Sequence, residues 1–330
     1  MGLGLGTDRC VGAGLRRRLA SSAAAWILIA IAAPILLQAQ INVLTNRYDP
    51  QRTGANLAER TLTVARVTTA QFGQLYAYPV EGAVYAQPLY MSAVTINGSL
   101  HNILYVATMS DKLYAFDADS PSPTPLWVKD FTNPPLVAAI PITDITAPNL
   151  NVLTTVGIQS TPVIDPATGT LYLVARTKED GAYLQRLHAL DVATGAERPG
   201  SPVVIGGSVD GTSPDSKIGP AGRIITFDPK VQIQRAGLAL TNGVVVVCWG
   251  AHEDVTPSHG WIMGFDAATL ARVGIVAVTP DAYLGGIWQG GRAPTVDAAG
   301  NAYVATGNGL WDGTRNFGSS LLKFSVSPTG

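Results

Sequence analysis

A chain of 330 residues that is 47% hydrophobic and only 14% charged has ample apolar material for a sizeable globular core. The formal net charge is −1, and setting aside the first 39 residues leaves 18 basic against 22 acidic side chains. No dense Lys/Arg face exists to neutralise phosphates, which excludes nucleic acid as a partner. Thirty-five glycines and twenty-two prolines, spread along the chain, interrupt it too often for long helices and favour many short strands joined by turns.

Arg16-Arg17-Arg18 precedes an apolar run from Leu19 to Leu37, which closes on Leu37-Gln38-Ala39. Positive charge, an apolar stretch and a small residue in that order make a secretory leader. Residues 1–39 are therefore expected to be a signal peptide, with mature protein beginning at Gln40 in the cell envelope, the periplasm or the medium and no stable membrane insertion after cleavage. Because the run approaches the roughly 20 residues that span a bilayer, an uncleaved anchor is the alternative. No cysteine follows the run, which argues against a lipoprotein anchor. N-terminal sequencing of envelope or medium fractions distinguishes the two: a start at Gln40 means cleavage, and an intact terminus held in membranes means an anchor.

After a lead-in over 40–83, one pattern recurs through 84–330: a strand, a turn, a second strand ending in a small residue, then an aromatic-rich strand closing on Asp. The first copy holds Gln87-Pro88-Leu89-Tyr90, Leu104-Tyr105-Val106-Ala107-Thr108 and Lys112-Leu113-Tyr114-Ala115-Phe116-Asp117. The second holds Ser160-Thr161-Pro162-Val163-Ile164-Asp165, Thr170 to Ala175, and Arg186-Leu187-His188-Ala189-Leu190-Asp191-Val192-Ala193-Thr194-Gly195. A looser third copy reads Ala236 to Leu240, Gly243 to Trp249, and Gly260 to Thr269; the fourth reads Ala293 to Asp297, Asn301 to Thr306, and Ser320 to Ser325. Repeat limits of about 84–130, 157–205, 232–278 and 285–330 follow.

The closing aspartates at 117, 191 and 266 are 74 and 75 residues apart. A bare four-stranded blade needs only about 40–50 residues, so each repeat carries long loops, where function tends to sit. In Asp-x-x-Thr-Gly the Asp191 carboxylate accepts backbone N–H bonds two residues on and Gly195 supplies a positive φ, which stops and reverses the strand. Strands apolar on both faces need neighbours on both sides, which radial stacking provides. The expected fold is all-β: a β-propeller of four-stranded antiparallel blades, about four of them, forming an incomplete, open ring. A two-sheet sandwich is the alternative. With only four blades, Phe72–Val80 is left awaiting a partner, and both end blades should expose apolar faces.

Cys10 lies in the leader, leaving Cys248 alone in the apolar strand Val244 to Trp249, where a buried thiol behaves as a small hydrophobe. Asn97-Gly98-Ser99 meets the glycosylation pattern but reads as a hairpin turn.

The cycle Ser-x-Pro-x-Ile-Asp, Leu-Tyr-x-Val-Ala, Leu-His-Ala-Leu-Asp-x-x-Thr-Gly at 160–195 resembles the repeat of the pyrroloquinoline-quinone (PQQ)-type propeller family. The opening segment Asn46-Arg47-Tyr48-Asp49-Pro50-Gln51-Arg52-Thr53-Gly54 is similar to the start of such propellers, and the resemblance covers about 42–325. It implies fold rather than chemistry, because the family spans quinone-dependent dehydrogenases, assembly scaffolds and uncharacterised exported proteins. The alcohol-oxidising members hold a quinone between a tryptophan and a ring made by adjacent cysteines, beside a calcium-bound acidic cluster; this chain has no Cys-Cys pair, and no such cluster is evident in its sequence.

Polar residues at the heads of the innermost strands point toward a propeller axis. Gln87, Gln159, Arg235, Gln289 and Arg292, with Trp288 as a flat ring for stacking, are the candidate ligand-binding residues; the plainer reading is that they bond one another and channel water. His252-Glu253-Asp254 with His259 makes a weak metal candidate and otherwise reads as a polar hairpin tip. Arg176, Lys178, Glu179 and Asp180 read as a solvated strand end. No catalytic residue is assigned. The sequence thus leads us to expect an exported, non-catalytic propeller that binds a protein or envelope polymer and needs no cofactor. A quinone-dependent dehydrogenase using PQQ and calcium is the alternative from another class, and a purely structural module is the third.

Overall fold

The structure, a computed structural model, describes residues 41–145 and 154–329. The expected signal peptide at 1–39 lies outside the described residues. The described chain is all-β apart from single turns of 3-10 helix, and none of its helices is long and apolar enough to cross a membrane.

The first blade is the antiparallel meander β1 (Leu89–Ile96), β2 (Ser99–Ala107), β3 (Lys112–Asp117) and β4 (Trp127–Asp130). The second is β5 (Val163–Asp165), β6 (Thr170–Glu179), β7 (Ala182–Asp191) and β8 (Val203–Val204); the third is β9 (Ala239–Thr241), β10 (Val244–Ala251), β11 (Trp261–Asp266) and β12 (Arg272–Ala277). The fourth has three strands: β13 (Thr295–Val296), β14 (Ala302–Ala305) and β15 (Leu321–Phe324). Insertions account for the long repeat period. Val137–Pro141 and Gln232–Ile233 pair with the overhanging ends of β6 and β10, and 208–226 folds into a separate three-stranded sheet.

Local chemistry explains the punctuation. Asn97 and Gly98 have φ of 50° and 81°, the left-handed pair that a two-residue hairpin needs between β1 and β2. The Asp191 carboxylate accepts from the backbone N–H groups of Ala193 and Thr194 at 2.9 and 3.0 Å, and Gly195 turns the chain at φ 69°. A Cβ on Gly195 would stand 2.7 Å from the Trp127 ring, so this glycine also seats the first blade's outer tryptophan. In the third repeat Asp266 makes the same bonds to Ala268 and Thr269, but Leu270 occupies the glycine position at φ 59°. Leu270 is buried in the core, an apolar contact that offsets the strain of a left-handed non-glycine residue.

The blades stack through apolar clusters. Ile103, Tyr105 and Leu113 of the first blade pack with Leu171, Leu173 and Leu190 of the second. Tyr172, Val174 and Leu187 pack with Val247, Trp249 and Met263 of the third, whose opposite face (Val244, Val246, Cys248, Ile262) meets Val296 and Val304 of the fourth. Cys248 is fully buried, and burial pushes its thiol well above the usual range, as a core residue requires. Leu190, at 0% exposure, faces the first blade; Leu190→Ala should therefore destabilise by about 2–5 kcal/mol in denaturant melts, whereas a loss below about 0.5 kcal/mol would mean the site is not packed as described.

Among the described residues, no apolar cluster joins the fourth blade to the first. The ring is open, as the repeat count implies. One expectation is corrected here. Phe72–Val80 does not await a partner throughout: Tyr78 stacks on Phe116 with ring centroids 4.8 Å apart, and Tyr78 and Val80 cover the free face of the first blade at Val106, Tyr114 and Phe116. Tyr114 is thus buried against the lead-in rather than between blades. Phe72 and Leu75 stay exposed.

Candidate functional site at the propeller axis

The innermost strands of the first, second and fourth blades meet the lead-in segment. The Val43 N–H and C=O bond Tyr90 of β1, the Leu44 carbonyl accepts from Ile164 N of β5, and the Pro50 carbonyl accepts from Val296 N of β13. Asn46 donates through Nδ2 to Gln87 Oε1 and Thr161 Oγ1 at 3.3 and 3.5 Å, and its Oδ1 accepts from Ala293 N at 3.4 Å. One buried asparagine therefore ties the first, second and fourth blades.

Arg52, 4% exposed, reinforces this knot. Its Nη1 donates to Thr45 Oγ1 (2.6 Å), the Asn46 carbonyl (3.1 Å) and the Asp49 carbonyl (3.2 Å), and its Nε donates to the Pro294 carbonyl (3.0 Å). Burial lowers its pKa to about 10; Asp49 opposes the shift and the Arg292 cation adds to it. The guanidinium stays charged at neutral pH.

The six candidate ligand residues precede the innermost strands along the chain. Gln87 accepts through Oε1 from Asn46 and from the Arg47 N–H (3.0 Å), and its own N–H donates to Thr161 Oγ1 (3.0 Å) at the head of the second blade. Gln159 is buried, and its Oε1 has no hydrogen-bond partner. Arg235 is half-buried, lies 5.6 Å from the centroid of the Tyr85 ring and crowds Gly291; burial lowers its pKa. Trp288 is half-buried on a bed of glycines: a Cβ at Gly250, Gly286 or Gly307 would come within 2.9, 2.8 and 3.4 Å of the indole. Gln289 folds back, accepting from Ala305 N through Oε1 and donating through Nε2 to the Arg292 carbonyl. Arg292 is exposed. Among the described residues neither Arg235 nor Arg292 makes an ion pair with a carboxylate.

The histidines do not form a common site. His252 Nε2 accepts from Arg176 Nη1 at 2.7 Å; burial, then the Arg176 charge, lowers its pKa to about 3 and keeps it neutral. His259, 2% exposed, meets the Thr279 carbonyl through Nδ1 (3.1 Å) and Asp215 Oδ2 through Nε2 (3.2 Å), and Ser213 bonds the other Asp215 oxygen. Both are buried network members, not residues of a solvated hairpin tip. Among the described residues no three His, Cys, Asp or Glu side chains come together in a group able to hold a metal ion.

Arg176 also corrects the sequence reading. Far from solvated, it is 1% exposed, donates from Nη2 to the Pro229 and Lys230 carbonyls at 3.1 and 3.0 Å, and donates its backbone N–H to Asp111 Oδ1 at 3.2 Å. Asp111 is fully buried, and burial raises its pKa well above the usual range against the opposing pull of Arg176.

The chain matches no known family model and no curated protein sequence. Solved structures do resemble it. Quinohemoprotein alcohol dehydrogenase from Comamonas testosteroni aligns at a TM-score of 0.50 with 18% identity over 82% of this chain. Quinohemoprotein alcohol dehydrogenase ADHIIG from Pseudomonas putida HK5 aligns at 0.53 with 16% identity over 86%. The chain spans little more than a third of each, 36% and 38%. The class defined is thus a β-propeller with the fold found in quinohemoproteins, which agrees with the repeat resemblance at the level of fold. The expectation that this propeller has no cofactor is withdrawn, because the two solved structures just named, which share its fold, are quinohemoproteins.

Proposed function

We propose that the axial face of this propeller binds a planar, anionic ligand of the quinone-carboxylate class. The observation that carries the reading is, among the described residues, the pair of arginines without carboxylate partners, Arg235 and Arg292, flanking Gly291 beside the half-buried ring of Trp288 and the exposed ring of Tyr85. Guanidinium groups bind carboxylates in a fixed fork, and flat rings favour flat ligands, so this set matches an aromatic polycarboxylate. The likeness to two quinohemoproteins supports that ligand class. Arg235 and Arg292 would hold its carboxylates and Trp288 its ring. A bound quinone supplies two-electron oxidation. For a partner metal the residues do not fit, since no suitable cluster exists among those described, and no reaction step is assigned.

The Arg16–Ala39 leader supports an exported location for this activity. Titrating the full chain with pyrroloquinoline quinone should quench tryptophan fluorescence saturably, and Arg235→Gln should weaken binding at least about 10-fold, the effect of roughly 1.4 kcal/mol. Absence of saturable quenching, or equal binding by Arg235→Gln, would overturn the reading.

A further inference from the structure

We infer that the cleft between the first and second blades, beside the outer strand β4, is a binding site for a neutral saccharide unit, with His188 as its hydrogen-bond acceptor. Counting back three residues from the closing aspartates aligns His188 of β7 with Tyr114 of β3 and Met263 of β11. At this register the other two blades bury an aromatic or an apolar side chain, and the second blade buries an imidazole. A buried polar ring costs free energy unless its nitrogens are partnered, and only one of them is. Nδ1 meets Glu197 Oε1 at 2.9 Å, while Nε2 has no hydrogen-bond partner among the described residues. Because the carboxylate accepts, Nδ1 carries the proton and Nε2 keeps its lone pair. Burial lowers the His188 pKa; Glu197 opposes that shift, and the Lys129 and Arg186 cations add to it, so the ring is neutral at pH 7.

The ring lines a cleft of about 380 Å³, a size that small-molecule sites share. Phe131, edge-on to the imidazole with centroids 4.5 Å apart, and Val137 and Pro202 give it apolar wall. Its ionic groups are already matched. Lys129 lies 3.3 Å from Glu197, Arg186 donates to both oxygens of Glu179, and Asp130 lies 3.5 Å from Lys112. With each carboxylate facing a cation, a charged ligand finds no counter-ion there, and a neutral one is favoured. What stays open is the Nε2 acceptor of His188 together with the Asn133 side-chain amide, which has no hydrogen-bond partner among the described residues. The ligand that fits is neutral, donates an O–H to Nε2, exchanges hydrogen bonds with an amide and lays C–H surface on an apolar wall. A sugar ring does all of these. The cleft shares no lining residue with the axial face and does not depend on the ligand proposed there.

The test titrates the isotope-labelled full chain with D-glucose, D-galactose, D-mannose and N-acetyl-D-glucosamine in turn, reading the His188 ring nitrogens by magnetic resonance. Without sugar the proton should sit on Nδ1, and at least one sugar should move the Nε2 resonance saturably. His188→Met, which copies the third blade at this register, should weaken binding of that sugar at least about 10-fold in saturation-transfer spectra. If no sugar moves Nε2, or if the variant binds as tightly as the original chain, the proposal is overturned. Acetate and methylammonium serve as ionic probes; a tighter response to either than to every sugar would mean that the cleft selects an ion and would also overturn it. The titration of the unaltered chain reads the ring itself, so it decides the matter even where the variant fails to fold.

Discussion

Arg52→Met is expected to lower the unfolding free energy by about 3–5 kcal/mol, because a buried cation that satisfies several oxygens is removed and those oxygens remain dehydrated. The affected acceptors are Thr45 Oγ1 and the carbonyls of Asn46, Asp49 and Pro294. The methionine stem fills part of the volume, so most of the loss is polar rather than a cavity. The damage should also be local. Pro294 belongs to the head of the fourth blade, and the lead-in bonded by Arg52 is what joins that blade to the first. Urea melts monitored by exchange should therefore show 293–305 opening before the rest of the arc. A loss below about 1 kcal/mol, or uniform opening, would show that Arg52 does not hold the axis.

Arg176→Met should cost a comparable amount, about 3–5 kcal/mol, for a different reason: it strands a buried acid and a buried imidazole that were arranged around one cation. His252 Nε2 and the Pro229 and Lys230 carbonyls lose donors, and Asp111 loses the neighbouring charge that opposes its desolvation. Replacing Asp111 by asparagine in the same chain removes part of the penalty, so the double variant Asp111→Asn/Arg176→Met should be less destabilised than the sum of the singles by about 1 kcal/mol or more. Additive losses in guanidinium melts would mean that Asp111 and Arg176 do not interact.

Arg176 marks where the sequence was least legible. In Thr170–Glu179 the apolar pattern ends at Ala175, and the charged residues after it look like a strand emerging into solvent. The strand does continue, but Val137–Pro141 from a loop far away in sequence pairs with it, and Pro229 and Lys230 come close enough for their carbonyls to receive Arg176. Nothing local encodes that coverage. The blades were legible for the opposite reason. Their signals are strictly local: Asn97-Gly98 for a hairpin, Asp-x-x-Thr for a strand stop, and runs such as Leu171 to Val174 that need apolar neighbours on both faces.

The axial site falls between these cases. Pro88, Pro162 and Pro294 mark the strand heads, which places Gln87, Gln159 and Arg292 around an axis by repeat alignment alone. Alignment gives no hint that Asn46 and Arg52 of the lead-in enter that axis, because a segment without a periodic pattern does not announce its contacts. Gly250, Gly286 and Gly307 were a missed signal: three glycines from separate stretches make room for one indole, Trp288.

The most direct measurement of the axial proposal is a crystal structure of the full chain grown with pyrroloquinoline quinone. The quinone should lie on the Trp288 ring, with its carboxylates within about 3 Å of the Arg235 and Arg292 guanidinium groups. Quinone density away from the axis, or none at the axis under saturating conditions, would contradict the account.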